Sequence, residues 1–201
     1  MLAALVADHA TALVASAREG GGGVRVGVDT PVGQDGAMLA DDVTALLRTA
    51  GLAGLRASRD AFVRPRSIRL EHGDDPDAPW ERWFDDPGLR RELLDPLGPG
   101  GTMQVACSLW DLVTDRATRE PRRPTPPGAV VVVDGPFLLR WELADAFDLV
   151  VHLQTSAAAI ARRGGPGPSW ARYLDEVDPA ARAGIVVRHD DPRHPALVNR
   201  D

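Results

Sequence analysis

VRVGVDTPVGQDGAMLADDVTALL, residues 24–47, reads as strand, turn and helix. Val24, Val26 and Val28 form a β-branched run with Gly27 inside it. Leu39, Val43, Leu46 and Leu47 fall at i, i+4, i+7 and i+8, a single helical face. Asp41 and Asp42 lie in the first turns, where the helix dipole favours negative charge. A buried strand feeding a helix through a short glycine-containing turn is the frame of a phosphate-binding loop. That loop normally reads G-x-x-x-x-G-K-[ST]. Its glycines permit close backbone approach, its lysine reaches the outer phosphates and its hydroxyl holds Mg²⁺.

Here the frame is present and the loop chemistry is missing. Counting back from the helix, Thr30 stands at the first glycine and Asp35 at the second. Gly36 takes the lysine position and Ala37 the hydroxyl position. No shift of register repairs this, because the sequence contains no lysine. Losing the lysine removes charge-assisted hydrogen bonds worth ~1.5–3 kcal/mol each. Asp35 adds a carboxylate where backbone N–H groups should face phosphate. At ~4 Å and an effective dielectric of ~20, one like-charge pair costs about 4 kcal/mol. Half the combined loss, ~4 kcal/mol, weakens binding about a thousandfold.

Composition narrows the remaining classes. The 201 residues predict one domain across 1–201 with a sizeable core. A net charge of −6 argues against nucleic acid as the main partner. The single cysteine, Cys107, excludes an internal disulfide and a cysteine-based zinc cage. No apolar run is long enough to span a membrane. Asp8 and His9 interrupt the first apolar stretch, so no secretory signal is expected and the protein is expected to be cytoplasmic.

Away from the central stretch, strands and helices alternate. Leu2 to Arg18 predicts an amphipathic helix with Leu2, Leu5, Val6, His9 and Leu13 on one side. Gly20 to Gly23 reads as a flexible connector. Strands are expected at 53–58, 129–134, 148–153 and 185–188, with a further one within 103–112. Helices are expected at 89–94, 137–146, 156–163 and 170–177. Leu70 to Pro79 and Arg119 to Gly128 read as loops. Trp80, Trp83 and Phe84 have i, i+3, i+4 spacing, a packing face or an aromatic wall for a planar base. Together these predict a three-layer α/β domain with a mainly parallel sheet. Ligands of such sheets bind at the carboxyl edge of the strands. His189 and His194 in the Pro-containing tail lack the spacing of a metal site.

Several stretches resemble the uridine kinase-like family of P-loop nucleoside kinases. They are GVD and Pro31 (27–31), ASRDAFVRPR (57–66), LRRELLDPLGPGG (89–101), VVVDGPFLLRWEL (131–143), FDLVVHL (147–153) and ARR (161–163). They run across most of the chain in family order. The resemblance implies a P-loop kinase-like fold, an ATP–Mg²⁺ donor and a small hydroxyl-bearing acceptor such as a nucleoside. It places Asp60 on the carboxylate that accepts the proton of the attacking hydroxyl. Phe62 and Arg64 match substrate-side residues, with Val63 where the family has an aromatic residue or histidine. Asp134 matches the acidic residue that assists Mg²⁺. Arg162 and Arg163 match lid arginines on the donor phosphates. Asp29, Pro31, Gly33, Asp35 and Gly36 occupy the nucleotide-loop positions.

Each residue also has a plainer role. Asp60 can cap the following turn, Asp134 can end a buried strand, and the arginine pair can complement a helix C-terminus. Three readings of function stay open at this point. One is a working kinase in which lid arginines replace the lysine. A second is a kinase-fold binding or regulatory protein without kinase activity. The third is a reused frame, with Asp35, Asp60 and Asp134 forming a carboxylate cluster for a divalent cation.

Overall fold

A computed structural model of the chain describes residues 1–31, 33–71, 73, 75–165 and 167–198, with Gln34 described in its backbone only. Six strands form one sheet. Across it they run Ala196–Leu197, Ile185–Arg188, Leu149–Gln154, Val24–Asp29, Val130–Gly135 and Gly54–Ser58. All neighbours are parallel except the Ala196–Leu197 edge, which runs antiparallel to Ile185–Arg188. The strands expected around 24–29, 53–58, 129–134 and 148–153 therefore do share one sheet.

The sequence explains why the central strands lie in the middle. Val24, Val26 and Val28 are fully buried on one face, and Val130, Val132, Val151 and Leu153 join them. Burying a side chain of this size contributes ~1.5–3 kcal/mol. The helices Leu2–Glu19 and Gly33–Thr49 cover that face with Val6, Ala10, Val14, Leu39, Val43 and Leu47. The opposite face carries Val131, Val133, Val150 and Val186. It is covered by the helical run Asp86–Leu97 and the helix Gly167–Val177. Helix, sheet and helix make the three layers. No helix among the described residues is long and apolar enough to cross a membrane.

Several local expectations are corrected. The helix after the central strand starts at Gly33, so the turn is cut to the few residues after Asp29. The buried face of the first helix is Val6, Ala7, Ala10 and Val14, while His9 is exposed and bonds Leu5 O. Leu46 points outward and Ala40 replaces it. Gly23 is packed rather than flexible. A Cβ there would meet Ala129 O at 2.6 Å, so the glycine run lets two backbones meet. The 103–112 region forms two short ribbons. Gln104–Val105 pairs with Arg123–Pro124 and Trp110–Asp111 with Arg116–Ala117. Residues 137–146 make turns and end in a short 3₁₀ helix, Ala144–Ala146, and Phe137 at their start takes φ 61°, outside the helical region. Trp80 lies in a four-residue helix and Phe84 in an isolated bridge to Val63.

Candidate functional site

The parallel register brings four strand ends to one edge. Asp29 lies level with Gly135 and His152, and Ser58 lies level with Asp134. Asp60 follows directly in the 3₁₀ turn Arg59–Phe62, whose N-cap Ser58 accepts from Asp60 N. Asp29, Asp60 and Asp134 thus lie at the carboxyl edge of the sheet.

Asp35 is bound by Arg163, whose Nη1 donates to Asp35 Oδ2. Arg163 Nη2 also donates to His189 O at 2.9 Å. His189 Nδ1 stands 3.5 Å from the same Asp35 oxygen. Burial pushes the His189 pKa below its usual value, against the pull of Asp35. Asp35 and Arg163, two residues that the resemblance matched to the donor side, are thus paired with each other. Gly36 leaves no room for a longer residue. A Cβ there would collide with Thr30 Cγ2 and approach Asp134 Cβ at 3.3 Å. Pro31 is buried, and Gly165 lies against it so closely that a Cβ would meet Pro31 O at 2.8 Å. Gly33 is exposed at the helix start.

Asp134 is 2% exposed, and its Oδ1 lies 2.7 Å from Arg56 Nη2. Arg56 Nε reaches Asp41 at 2.7 Å, so one guanidinium joins strand and helix. Burial raises the Asp134 pKa above the usual carboxylate range, against the lowering effect of Arg56 and Ser58. Asp60 sits at the exposed rim. Loss of surrounding water raises its pKa first and the Asp134 charge second, while Arg59 and Arg69 pull it down. Asp60 and Asp134 therefore sense each other across the edge.

Other expected site residues are placed differently. Phe62 is fully buried in the core and cannot touch a substrate. Arg64 is half-buried, with its backbone N bonded to Trp83 O. Arg162 is exposed at the end of the helix Ala157–Arg163. Trp80 and Phe84 pack on Phe137, with ring centroids at 5.3 and 6.4 Å, so they form core rather than a base wall. Trp83 is only partly buried against the same cluster. Among the described residues no group of three or more His, Cys, Asp or Glu could hold a metal ion. Asp35 is tied to Arg163 and does not join Asp60 and Asp134 in a carboxylate cluster.

Asp29 is the residue whose role differs most from its motif position. It is wholly buried. Its Oδ1 accepts from Leu138 N at 2.9 Å, and its Oδ2 takes the Tyr173 hydroxyl at 2.9 Å and His152 Nδ1 at 2.7 Å. Tyr173 in turn accepts from Leu139 N at 3.1 Å. Burial and the neighbouring Asp29 raise the tyrosine pKa well above its ordinary value, which keeps the phenol a donor. Sequence reasoning missed His152 and Tyr173. The one available signal was a histidine inside an otherwise apolar strand.

Solved structures share this architecture. A protein assigned as a uridine kinase, from Bacillus stearothermophilus, superposes with TM-score 0.67 at 22% identity, over 82% of this chain and 88% of that one. One assigned as a fructose transport system kinase, from Silicibacter sp. TM1040, gives 0.60 at 21% identity, over 84% and 94%. D-glycerate 3-kinase from Cryptococcus neoformans var. grubii gives 0.55 at 15% identity, over 87% and 84%. No protein-family profile and no curated sequence matches the chain. The chain has a P-loop kinase-like α/β fold. The residues at its loop do not fit donor phosphates and Mg²⁺. They offer no lysine, no hydroxyl at Ala37, and an Asp35 carboxylate already paired with Arg163.

Proposed function

We propose that this protein is a small-molecule-binding protein built on the P-loop kinase-like fold, in which ATP-dependent phosphoryl transfer has been lost. The observation that carries the proposal is the Asp35–Arg163 ion pair. A lid arginine that would neutralise donor phosphate is held instead by a carboxylate of the chain itself. Electrostatic positioning of the donor is the main contribution a phosphotransferase makes, and a correctly placed base does not replace it.

The acceptor side supports binding of a hydroxyl-bearing small molecule such as a nucleoside. Asp60 keeps an open carboxylate at the strand edge, with a raised pKa that suits it to accept a proton-donating hydroxyl. Arg64 lies close behind it in sequence, with its backbone fixed by Trp83. Calorimetry tests the proposal. Uridine or a related hydroxylated compound is expected to bind, and Mg-ATP at about 1 mM is expected to give no saturable heat. Micromolar Mg-ATP affinity with phosphorylation of the acceptor would overturn it.

A further inference from the structure

A second site stands apart from the loop. On the face of the sheet opposite the Gly33–Thr49 helix lies a cleft of about 500 Å³, lined by His152, Asp178, Arg188 and Asp190 among others. That size falls within the ~300–1,000 Å³ range of small-molecule sites.

Two of the lining groups, His152 through its Nε2 and Arg188 through its guanidinium, keep polar atoms without a partner among the described residues. His152 is fully buried and gives its Nδ1 to Asp29 Oδ2. An ionised carboxylate only accepts, so Nδ1 carries the proton and the Nε2 of a neutral ring is an acceptor. Among the described residues Nε2 has no hydrogen-bond partner. A buried polar atom left in this way costs ~1–3 kcal/mol. Arg188 is exposed, and its guanidinium forms no ion pair among the described residues. The two sit on one face of neighbouring parallel strands. His152 pairs with Val186, and Gln154 with Arg188. Arg188 is therefore one strand across and two residues along from His152, offsets of ~4.8 and ~6.6 Å.

The charges define the ligand. Asp190 Oδ1 accepts from Ser156 N at 2.7 Å, and Asp178 Oδ1 accepts from Ala181 N at 3.3 Å. Asp190 also meets the Ser156 hydroxyl, and each carboxylate, with about four acceptor positions, keeps capacity to accept further hydrogen bonds. The cleft thus offers three acceptors, His152 Nε2 and two carboxylates, and one anion-binding guanidinium. We propose that it binds a small zwitterion of the α-amino-acid class, with the ammonium toward His152, Asp178 and Asp190 and the carboxylate on Arg188. An ammonium has three donors for the three acceptors, and a planar guanidinium matches a carboxylate in two-point fashion. The site lies outside the proposed acceptor edge at Asp60, so it stands whether or not that proposal holds.

The test follows the His152 imidazole signals by NMR in the full chain while individual L-amino acids are added up to about 10 mM, a range that captures even weak affinities. At least one is expected to shift them saturably. The amine-free acid of that same side chain is expected to bind about tenfold or more weakly. Arg188→Ala, a surface change, should abolish the effect on His152. His152→Asn, which keeps a donor for Asp29 but removes Nε2, should weaken binding about tenfold by calorimetry. Absence of a saturable shift with every amino acid, equal binding of the amine-free acid, or full binding by Arg188→Ala would overturn the proposal.

Discussion

Arg163 and Asp35 are joined across 128 residues of sequence, guanidinium to carboxylate, and tie the end of the helix Ala157–Arg163 to the first turn of the helix Gly33–Thr49. The Asp35 side chain is 9% exposed and that of Arg163 20%. Removing one partner of a buried pair leaves the other uncompensated, which is worth more than the pair itself. Arg163→Ala also frees His189 O of its donor. The expected cost is about 2 kcal/mol, below the ~3–5 kcal/mol of a fully buried pair because Arg163 keeps contact with water. In a chain of this size that lowers Tm by ~4–8 °C. Asp35→Ala in the Arg163→Ala background should cost little more, and chemical denaturation of the four proteins checks the coupling.

Asp29 is expected to be the most costly polar residue to remove. Asp29→Ala strands Leu138 N, the Tyr173 hydroxyl and His152 Nδ1 in the core at once. Unsatisfied buried groups cost ~1–3 kcal/mol each, so a loss of ~3–5 kcal/mol is expected after relaxation. Asp29→Asn keeps an oxygen for Leu138 N and should cost less. Equal denaturation midpoints for Asp29→Ala and the wild type would rule out the hub.

Gly135 supports the same edge from below. Its φ is +148°, and a Cβ there would meet Arg59 Cβ at 2.6 Å. Arg59 is fully buried, paired with Asp86 at 3.2 Å through Nε and stacked over Phe84 at 4.1 Å, so it cannot move aside. Gly135→Ala is expected to destabilise by about 2 kcal/mol or more. A Tm within a degree or so of wild type would contradict this placement of Arg59.

Asp60 carries a pH signature. Its pKa lies above its ordinary value of 3.8. Between the two values the folded state holds more protons than the unfolded one, so stability falls as pH rises through that window. At neutral pH the penalty is fully expressed, and it is small because the exposed side chain is screened by solvent. Asp60→Asn removes it and is expected to raise Tm at neutral pH, with the gain shrinking as pH falls toward the ordinary value. A variant that is less stable than wild type at neutral pH would show that Asp60 is a net stabiliser.

How much of this was legible can be judged residue by residue. The unbroken apolar run at 129–133 announced a strand covered on both faces, because a strand with one solvated face would alternate apolar and polar residues, while Val24, Val26 and Val28 fixed only the apolar face of the neighbouring strand. Asp60 and Asp134 were placed at the strand edge because strand ends are local events. The 137–146 helix failed because Phe137 adopts a positive φ to fill the core among Trp80, Trp170 and Tyr173, a tertiary demand that local propensity does not register. Phe62 was expected at the substrate and went to the core for the same reason. The Asp35–Arg163 pair and the Asp29–His152–Tyr173 hub link residues more than a hundred positions apart. No periodicity or spacing carries that information. It appears only when the parallel register brings the strand ends level.

The strictest prediction concerns rebuilding the donor site. Gly36→Lys alone should not create Mg-ATP binding. Its Cβ runs into Thr30 Cγ2, and Asp35 still holds Arg163. Thr30→Gly clears the space for a lysine. Asp35→Gly removes a carboxylate whose repulsion of a phosphate at ~4 Å is about 4 kcal/mol, and it releases Arg163 toward the ligand. Ala37→Thr supplies the hydroxyl that Mg²⁺ requires. The four changes touch one another and are expected to be strongly non-additive, with each single substitution near the wild-type baseline. Only the quadruple variant should bind Mg-ATP, at least about a hundredfold more tightly than any single one. Because Asp35→Gly also breaks a stabilising pair, the quadruple protein should melt lower without nucleotide and recover when Mg-ATP is added. Calorimetry and thermal melts of the five proteins beside wild type decide it. Binding by Gly36→Lys alone, or by the unmodified chain, would show that Asp35 and Thr30 do not close the site.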